Sequence, residues 1–236
     1  MTTLQELPPL EQARYYMVEQ QIRPWDVHDE RVLALLLSIR RENYVPAEHR
    51  SLAFVDMELP IGYGEVMLAP RVEARLLQDL DVKPTDRILE IGAGTGFMAA
   101  LLAGLGQSVL SLELHQPLAE LAQRNLQANG VVNAEVRCAD GSKAAAIEGQ
   151  FDVIVLSGSV AKLPLDLIEK LAPGGRLAAI VGDSIMMRAT IVTRSVDTPQ
   201  ASTRQPWDTI APRLVGFVEP SRCLLYTSDA ADDSLR

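Results

Sequence analysis

Three glycines at alternate positions, Gly92, Gly94 and Gly96, sit in "RILEIGAGTGFMAA" between a β-like apolar run and a helix-like one. A turn that bare lets the backbone come close to a ligand at the carboxyl end of a strand. The sixth position of the pattern is Phe97, so the dinucleotide fingerprint, which wants a glycine there for close helix packing, is not met. No Gly-Lys-Ser/Thr follows either, which removes a nucleoside-triphosphate loop. Glu90 lies just before the turn, and a carboxylate there repels phosphate and favours a cation. Glu113 follows the turn by about 20 residues, the interval at which an acid reaches ribose hydroxyls, and each such charged bond is worth roughly 1.5–3 kcal/mol. Asp140, followed by Gly141, can accept from the exocyclic amine of adenine. S-adenosylmethionine, with an ammonium, a sulfonium and an adenosine but no phosphate, fits that set of acids.

The elements that must hold these residues alternate. "RILEI" (87–91) reads as a strand buried on both faces, and "GFMAALLAGLG" (96–106) as a helix closed by glycines. Next come a strand in 108–114, a helix in 117–130 that opens on a proline and stops at Asn129-Gly130, and a strand in 134–140. The second half reads as a strand in 151–157, a helix in 163–175, a strand in 176–182 and two closing strands, 189–196 and 213–219. Alternation of this kind predicts an α/β fold with a doubly wound, mostly parallel sheet and its ligand at the carboxyl ends of the strands. Ahead of it, 10–22, 29–40 and 46–54 read as helices that cover the sheet's open end. Residues 55–70, "VDMELPIGYGEVMLAP", have no helical period and carry two glycines and two prolines. Loops that long in a compact domain are often functional. The organisation expected is a helical cover with the loop in 1–70 and a ligand-binding α/β domain in 71–222.

With 236 residues, 47% of them apolar, the chain can bury a large core. Its 22 Lys and Arg against 31 Asp and Glu leave a formal charge of -9, which argues against a nucleic-acid partner. No apolar run approaches the ~18 residues of a spanning helix, and the first residues lack a signal-peptide pattern, so no membrane partner and a cytoplasmic location are expected. His28, His49 and His115 are scattered and Cys138 and Cys223 are the only two cysteines, so neither a metal site nor a disulfide framework is expected. Residues 223–236, "CLLYTSDAADDSLR", break the pattern. They resemble a reading frame through a sequencing-library adapter, and are expected to be a non-native read-through tail.

Beyond these readings, the chain resembles the class I methyltransferases, and among them the protein-L-isoaspartate O-methyltransferase family. The likeness runs from about residue 17 to 182 and rests on "PIGYG", "LEIGAGTG", "ADG" and "LAPGGRL", with "LPIG" after Asp56 the most specific. It implies a seven-stranded sheet whose last two strands form an antiparallel hairpin. It also implies methyl transfer from S-adenosylmethionine to the free α-carboxylate of L-isoaspartyl residues in damaged proteins, a protein-repair activity. By the same resemblance, Ile61, Gly62, Tyr63, Gly64, Glu65, Val66, Met67 and Leu68 form the substrate loop. The family's loop runs Gly-x-Thr-x-Ser-x-Pro, its hydroxyls beside the substrate carboxylate, whereas Val66 and Leu68 stand at those two positions here. No catalytic side chain is thereby identified.

Two other readings stay open. A methyltransferase for another acceptor is one, although Leu156-Ser157-Gly158-Ser159 lacks the Asn/Asp-Pro-Pro-aromatic box of base N-methylation. A non-enzymatic adaptor that keeps the cofactor fold is the other. The oligomeric state is not legible.

Overall fold

The computed structural model describes residues 7–143, 146–183, 185–198 and 200–219. Pro9 opens α1 (Pro9–Tyr16), which continues as a π-helical turn over Met17–Ile22 and a 3-10 turn over Arg23–Trp25. The single helix expected over 10–22 is therefore broken in pitch. Met17, Val18 and Ile22 are nevertheless all buried. Asp29 caps α2 (Glu30–Ser38), its carboxylate accepting from the Arg31 amide. The third expected helix, 46–54, is only a 3-10 turn over Ala47–Leu52.

Residues 55–70 contain more order than their lack of period suggests. β1 (Leu59–Gly62) and β2 (Glu65–Met67) pair as an antiparallel hairpin, Leu59 opposite Met67 and Pro60 opposite Val66. Gly62, Tyr63 and Gly64 make its turn, with φ of 92°, 58° and 81°. Glycine adopts that region freely, whereas Tyr63 must be held there by its surroundings. Ala69 and Pro70 then start α3 (Pro70–Leu80).

A seven-stranded sheet follows: β3 (Arg87–Ile91), α4 (Phe97–Leu105), β4 (Ser108–Glu113), α5 (Gln116–Ala128) and β5 (Ala134–Cys138), then β6 (Phe151–Val160), α6 (Leu165–Ile168), β7 (Leu171–Gly182), β8 (Met187–Arg194) and β9 (Ala201–Thr209). Its spatial order is β5-β4-β3-β6-β7-β8-β9. β3 to β7 run parallel, and β8 and β9 join antiparallel. The order reverses between β3 and β6, and a crevice opens there beyond the strands' carboxyl ends. The π-helical turn after α1, together with α2, α3 and α4, shares one apolar core with the sheet (Met17, Leu36, Leu76, Leu101, Val155), while Leu89, Ile154, Leu167 and Leu177 pack on the other face.

Two expectations need correcting. The helix foreseen over 163–175 is a single turn, because β7 already starts at Leu171, where Leu171 pairs with Phe151. The closing strand foreseen over 213–219 is not one. The last strand is β9, more polar in sequence, and 213–219 leaves the sheet to cross the carboxyl ends of the strands with one isolated parallel bridge, Ser159 to Arg213. The apolar run "LVGFV" suits a strand locally, but its Leu214 and Phe217 pack half-buried against the core beside β6 instead. Residues 223–236 lie outside the described residues.

Candidate functional site

β3 delivers the glycine turn to the crevice. Gly92, Gly94 and Gly96 have φ of 92°, 53° and 87°, so the bareness of the turn is first a backbone requirement. Space reinforces it at Gly96, where a Cβ would meet the Ala122 carbonyl oxygen of α5 at 3.1 Å. Gly96 therefore lets α4 and α5 pack closely.

Glu90 lies inside β3 with no exposed surface. Ser111 Oγ of β4 donates to its Oε2 at 2.6 Å and Ser157 Oγ of β6 to its Oε1 at 2.8 Å. Burial nonetheless dominates and pushes its carboxyl up to about 7 from an ordinary 4.5. Glu113 ends β4 and accepts from the Gly94 amide at 2.9 Å and the His115 amide at 3.0 Å. One oxygen thus pins the glycine turn and the other the start of α5. A carboxylate has about four acceptor sites, so capacity for ligand hydroxyls remains.

Asp140 lies two residues past β5. Its Oδ1 accepts from the Ser142 amide and hydroxyl at 3.0 and 2.6 Å, and Lys143 Nζ stands 3.0 Å from Oδ2. The Ser142 hydroxyl and Lys143 hold the carboxyl below its usual range. Gly141 is glycine for packing: a Cβ would meet Ile91 Cγ2 at 2.4 Å, and without one the loop can lie on β3. Gly92, Gly94, Glu113, Asp140 and Gly141 thus line one crevice, Glu90 lines the small adjoining cavity that shares Gly92, Gly94 and Ser157 with it, and Gly96 acts behind them in helix packing.

The hairpin leans over this crevice. A Cβ on Gly94 would lie 3.2 Å from Ile61 Cδ1. Tyr63 stacks on His115 with ring centroids 5.3 Å apart and planes at 22°, and Glu65 Oε1 lies 3.5 Å from His115 Nε2. The stack on His115, the residue before α5, holds Tyr63 at positive φ. Met67 and Leu68 are buried and Val66 is half-buried, and all three face a small cavity of about 20 Å3 that also touches Glu73, Glu90, Thr95 and Ser157. Thr95 Oγ1, buried in that lining, has no hydrogen-bond partner among the described residues.

Arg41 is the residue the sequence did not disclose. Fully buried, it donates to the Leu68 carbonyl at 2.8 Å, the Ala53 carbonyl at 3.1 Å and Glu73 Oε2 at 2.6 Å, with its guanidinium 4.8 Å from the Phe97 ring centroid. It therefore clamps the end of the hairpin to α3. Burial outweighs that ion pair at Glu73 and pushes its carboxyl up to about 7. A signal existed at Glu73, an acid on the apolar stripe Val72, Leu76, Leu77 and Leu80 of α3. Nothing local distinguishes Arg41 from its neighbour Arg40.

Ser157 and Ser159 diverge. Ser157 faces the crevice, whereas Ser159 Oγ donates to the Ala211 and Pro212 carbonyls at 2.7 and 3.1 Å. A wide groove of about 790 Å3, lined by Trp25, Asp56, Arg71, Arg75, Met187 and Trp207, opens beside Ala69 at the base of the hairpin.

Residues 12–206 match the family model for protein-L-isoaspartate(D-aspartate) O-methyltransferase (PCMT). The chain belongs to the protein-L-isoaspartate O-methyltransferase family. Protein-L-isoaspartate O-methyltransferases from Methanoculleus marisnigri and Aeropyrum pernix are 40% and 38% identical to it, over 75% and 82% of this chain and 80% and 76% of theirs. The fold is that of a beta-aspartate methyltransferase (PCMT) from Plasmodium falciparum solved with S-adenosyl-L-homocysteine, with a TM-score of 0.74 at 19% identity over 84% of this chain and 96% of that one. The doubly wound sheet expected from the alternation of elements, and the seven strands with an antiparallel last pair expected from the resemblance, are both present. Among the described residues, no helix is long and apolar enough to cross a membrane.

Proposed function

We propose that this protein methylates the α-carboxylate of L-isoaspartyl residues in damaged proteins or peptides, with S-adenosylmethionine as donor, in the cytoplasm. The observation that carries the reading is the meeting of Glu90, the positive-φ glycine turn and Glu113 at the β3/β6 switch point, roofed by the family's hairpin. The donor set fits the cofactor: among the described residues the lining has acids but no basic cradle for phosphate, a bare backbone, and a buried Thr95 hydroxyl with no partner. In this reading Glu90, Gly92, Gly94, Gly96, Glu113, Asp140 and Gly141 form or shape the cofactor site. Residues 1–70 serve the acceptor and 71–222 the cofactor.

When bound, the cofactor supplies an electrophilic methyl group on a sulfonium. Glu90 sets a negative charge at the floor of the crevice, and Ser111 and Ser157 aim it by donating to both its oxygens. The acceptor is a carboxylate with a reference pKa near 4, ionised at neutral pH, so no side chain has to remove a proton. The protein's task is alignment and exclusion of water, worth ~7–11 kcal/mol in the best cases. Val66, Met67 and Leu68 present an apolar wall, which strips water from the nucleophile but gives it no hydroxyl to orient it. That same substitution favours, as a second reading, an acceptor other than isoaspartate. Transfer of labelled methyl to an isoaspartyl peptide, with the aspartyl isomer as control, separates the two readings.

A further inference from the structure

We propose that residues 210–219 form a movable strap over the cofactor crevice, with Leu214 as its plug and Arg213 as its latch. The proposal rests on the cofactor reading above. Leu214 lies on the surface that the glycine turn bares: a Cβ on Gly92 would meet Leu214 Cδ2 at 3.1 Å, and one on Gly158 would meet Leu214 Cγ at 2.8 Å. Further along, a Cβ on Gly216 would meet Ser142 Oγ at 2.7 Å and Asp140 Oδ1 at 3.1 Å. The strap therefore covers the crevice from Gly92 to Asp140. The cavity left between it and the hairpin, with Ile61, Glu65 and Val66 on one side and Leu214, Val215 and Phe217 on the other, is about 60 Å3. Small-molecule sites run to roughly 300–1,000 Å3, so a nucleoside-sized ligand enters only if one wall moves.

The strap is the wall built to move. The hairpin is tied down by Arg41 and by the Tyr63–His115 stack. The strap is attached to β6 at Ser159, whose amide donates to the Pro212 carbonyl at 2.7 Å, whose hydroxyl donates to the Ala211 and Pro212 carbonyls at 2.7 and 3.1 Å, and whose carbonyl accepts from the Leu214 amide at 2.9 Å. Arg213 reinforces it, donating to the Gly182 carbonyl at 2.6 Å and the Ser159 hydroxyl at 3.2 Å, with Glu219 3.3 Å from its Nε. Val215 and Val218 are 58% and 75% exposed. With Leu214 and Phe217 half-buried and Val215 and Val218 exposed, the segment has apolar surface to spare as a lid on a bound adenosine.

S-adenosylhomocysteine binding to the full chain is the test, followed by surface plasmon resonance and by amide hydrogen exchange. Arg213→Ala is expected to raise both association and dissociation rates about tenfold, the worth of one charge-assisted hydrogen bond. Leu214→Ala is expected to speed association while shortening residence. Exchange over 211–219 should slow when the ligand is added to the native protein. Wild-type rates in Arg213→Ala and Leu214→Ala, with no ligand-dependent protection of the strap, would overturn the strap while leaving the cofactor site intact. No binding to any of these proteins would overturn the cofactor reading and the strap with it.

Discussion

Replacing Glu90 by Gln removes a buried acid but keeps its shape and its contacts with Ser111 and Ser157. In the free protein the carboxyl titrates at about 7 because burial outweighs the two serine hydroxyls. A cationic ligand above it favours the ionised form and brings the pKa back towards 4.5, so binding must release a proton at acidic pH. Lowering the pH from 7.5 to 5.5 should then weaken S-adenosylhomocysteine binding about twentyfold, roughly 1.8 kcal/mol. Isothermal titration in buffers of different ionisation enthalpy reads the proton directly. Glu73 titrates in the same range and lines the same cavity, but Arg41 shares its charge, and Glu113 and Arg41 are the other charged groups near it. Glu90→Gln therefore isolates the effect: it should bind more weakly at pH 7.5 and lose most of the pH slope. The sign for stability is opposite. A raised carboxyl pKa stabilises the free protein below pH 4.5 and that benefit is lost as pH rises through about 7, a change of about 3 kcal/mol that Glu90→Gln should abolish. An unchanged pH slope of binding in the variant would refute the placement of Glu90 under the cation.

Other outcomes follow from the same contacts. Glu113→Ala should weaken S-adenosylhomocysteine binding about tenfold or more in calorimetry, since one charged acceptor is worth roughly 1.5–3 kcal/mol, and the released Gly94 amide adds disorder in the turn. Arg41→Met should cost roughly 3–5 kcal/mol in denaturant unfolding by stranding Glu73, and adding Glu73→Leu should recover most of it. Val66→Thr should raise methylation of an isoaspartyl peptide about two- to tenfold, the worth of one neutral hydrogen bond. Leu68→Ser restores the second hydroxyl at a buried position, so its gain in rate should come with a loss of about 2–4 kcal/mol in stability.

The site was legible where chemistry and backbone geometry coincide. Glu90 lies inside, Glu113 ends and Asp140 follows three successive parallel strands, and strand periodicity with a glycine turn locates such positions without long-range information. What stayed hidden depends on contacts between distant segments. Arg41 reads as a surface charge until α3 supplies Glu73 and the hairpin supplies the Leu68 carbonyl. The run from Arg213 to Glu219 reads as a strand because its local pattern is apolar, and its role as a strap depends on Gly92 and Gly158 leaving room for Leu214. β9 was missed for the converse reason: "ASTRQPWDT" is an edge strand, exposed along most of its length, and such strands carry little hydrophobic signal. Gly96 was legible as a member of the turn but not as a helix-packing residue, because Ala122 approaches it from 26 positions downstream.

The most direct test of the account is methyl transfer itself. The full chain is incubated with methyl-labelled S-adenosylmethionine and a peptide carrying one L-isoaspartyl residue, with the L-aspartyl isomer alongside, and base-labile methyl ester is counted. The account predicts ester on the isoaspartyl peptide alone, formed slowly in the native protein and faster in Val66→Thr. Cofactor binding with no ester on the isoaspartyl peptide in either protein would contradict it and give the crevice to another acceptor.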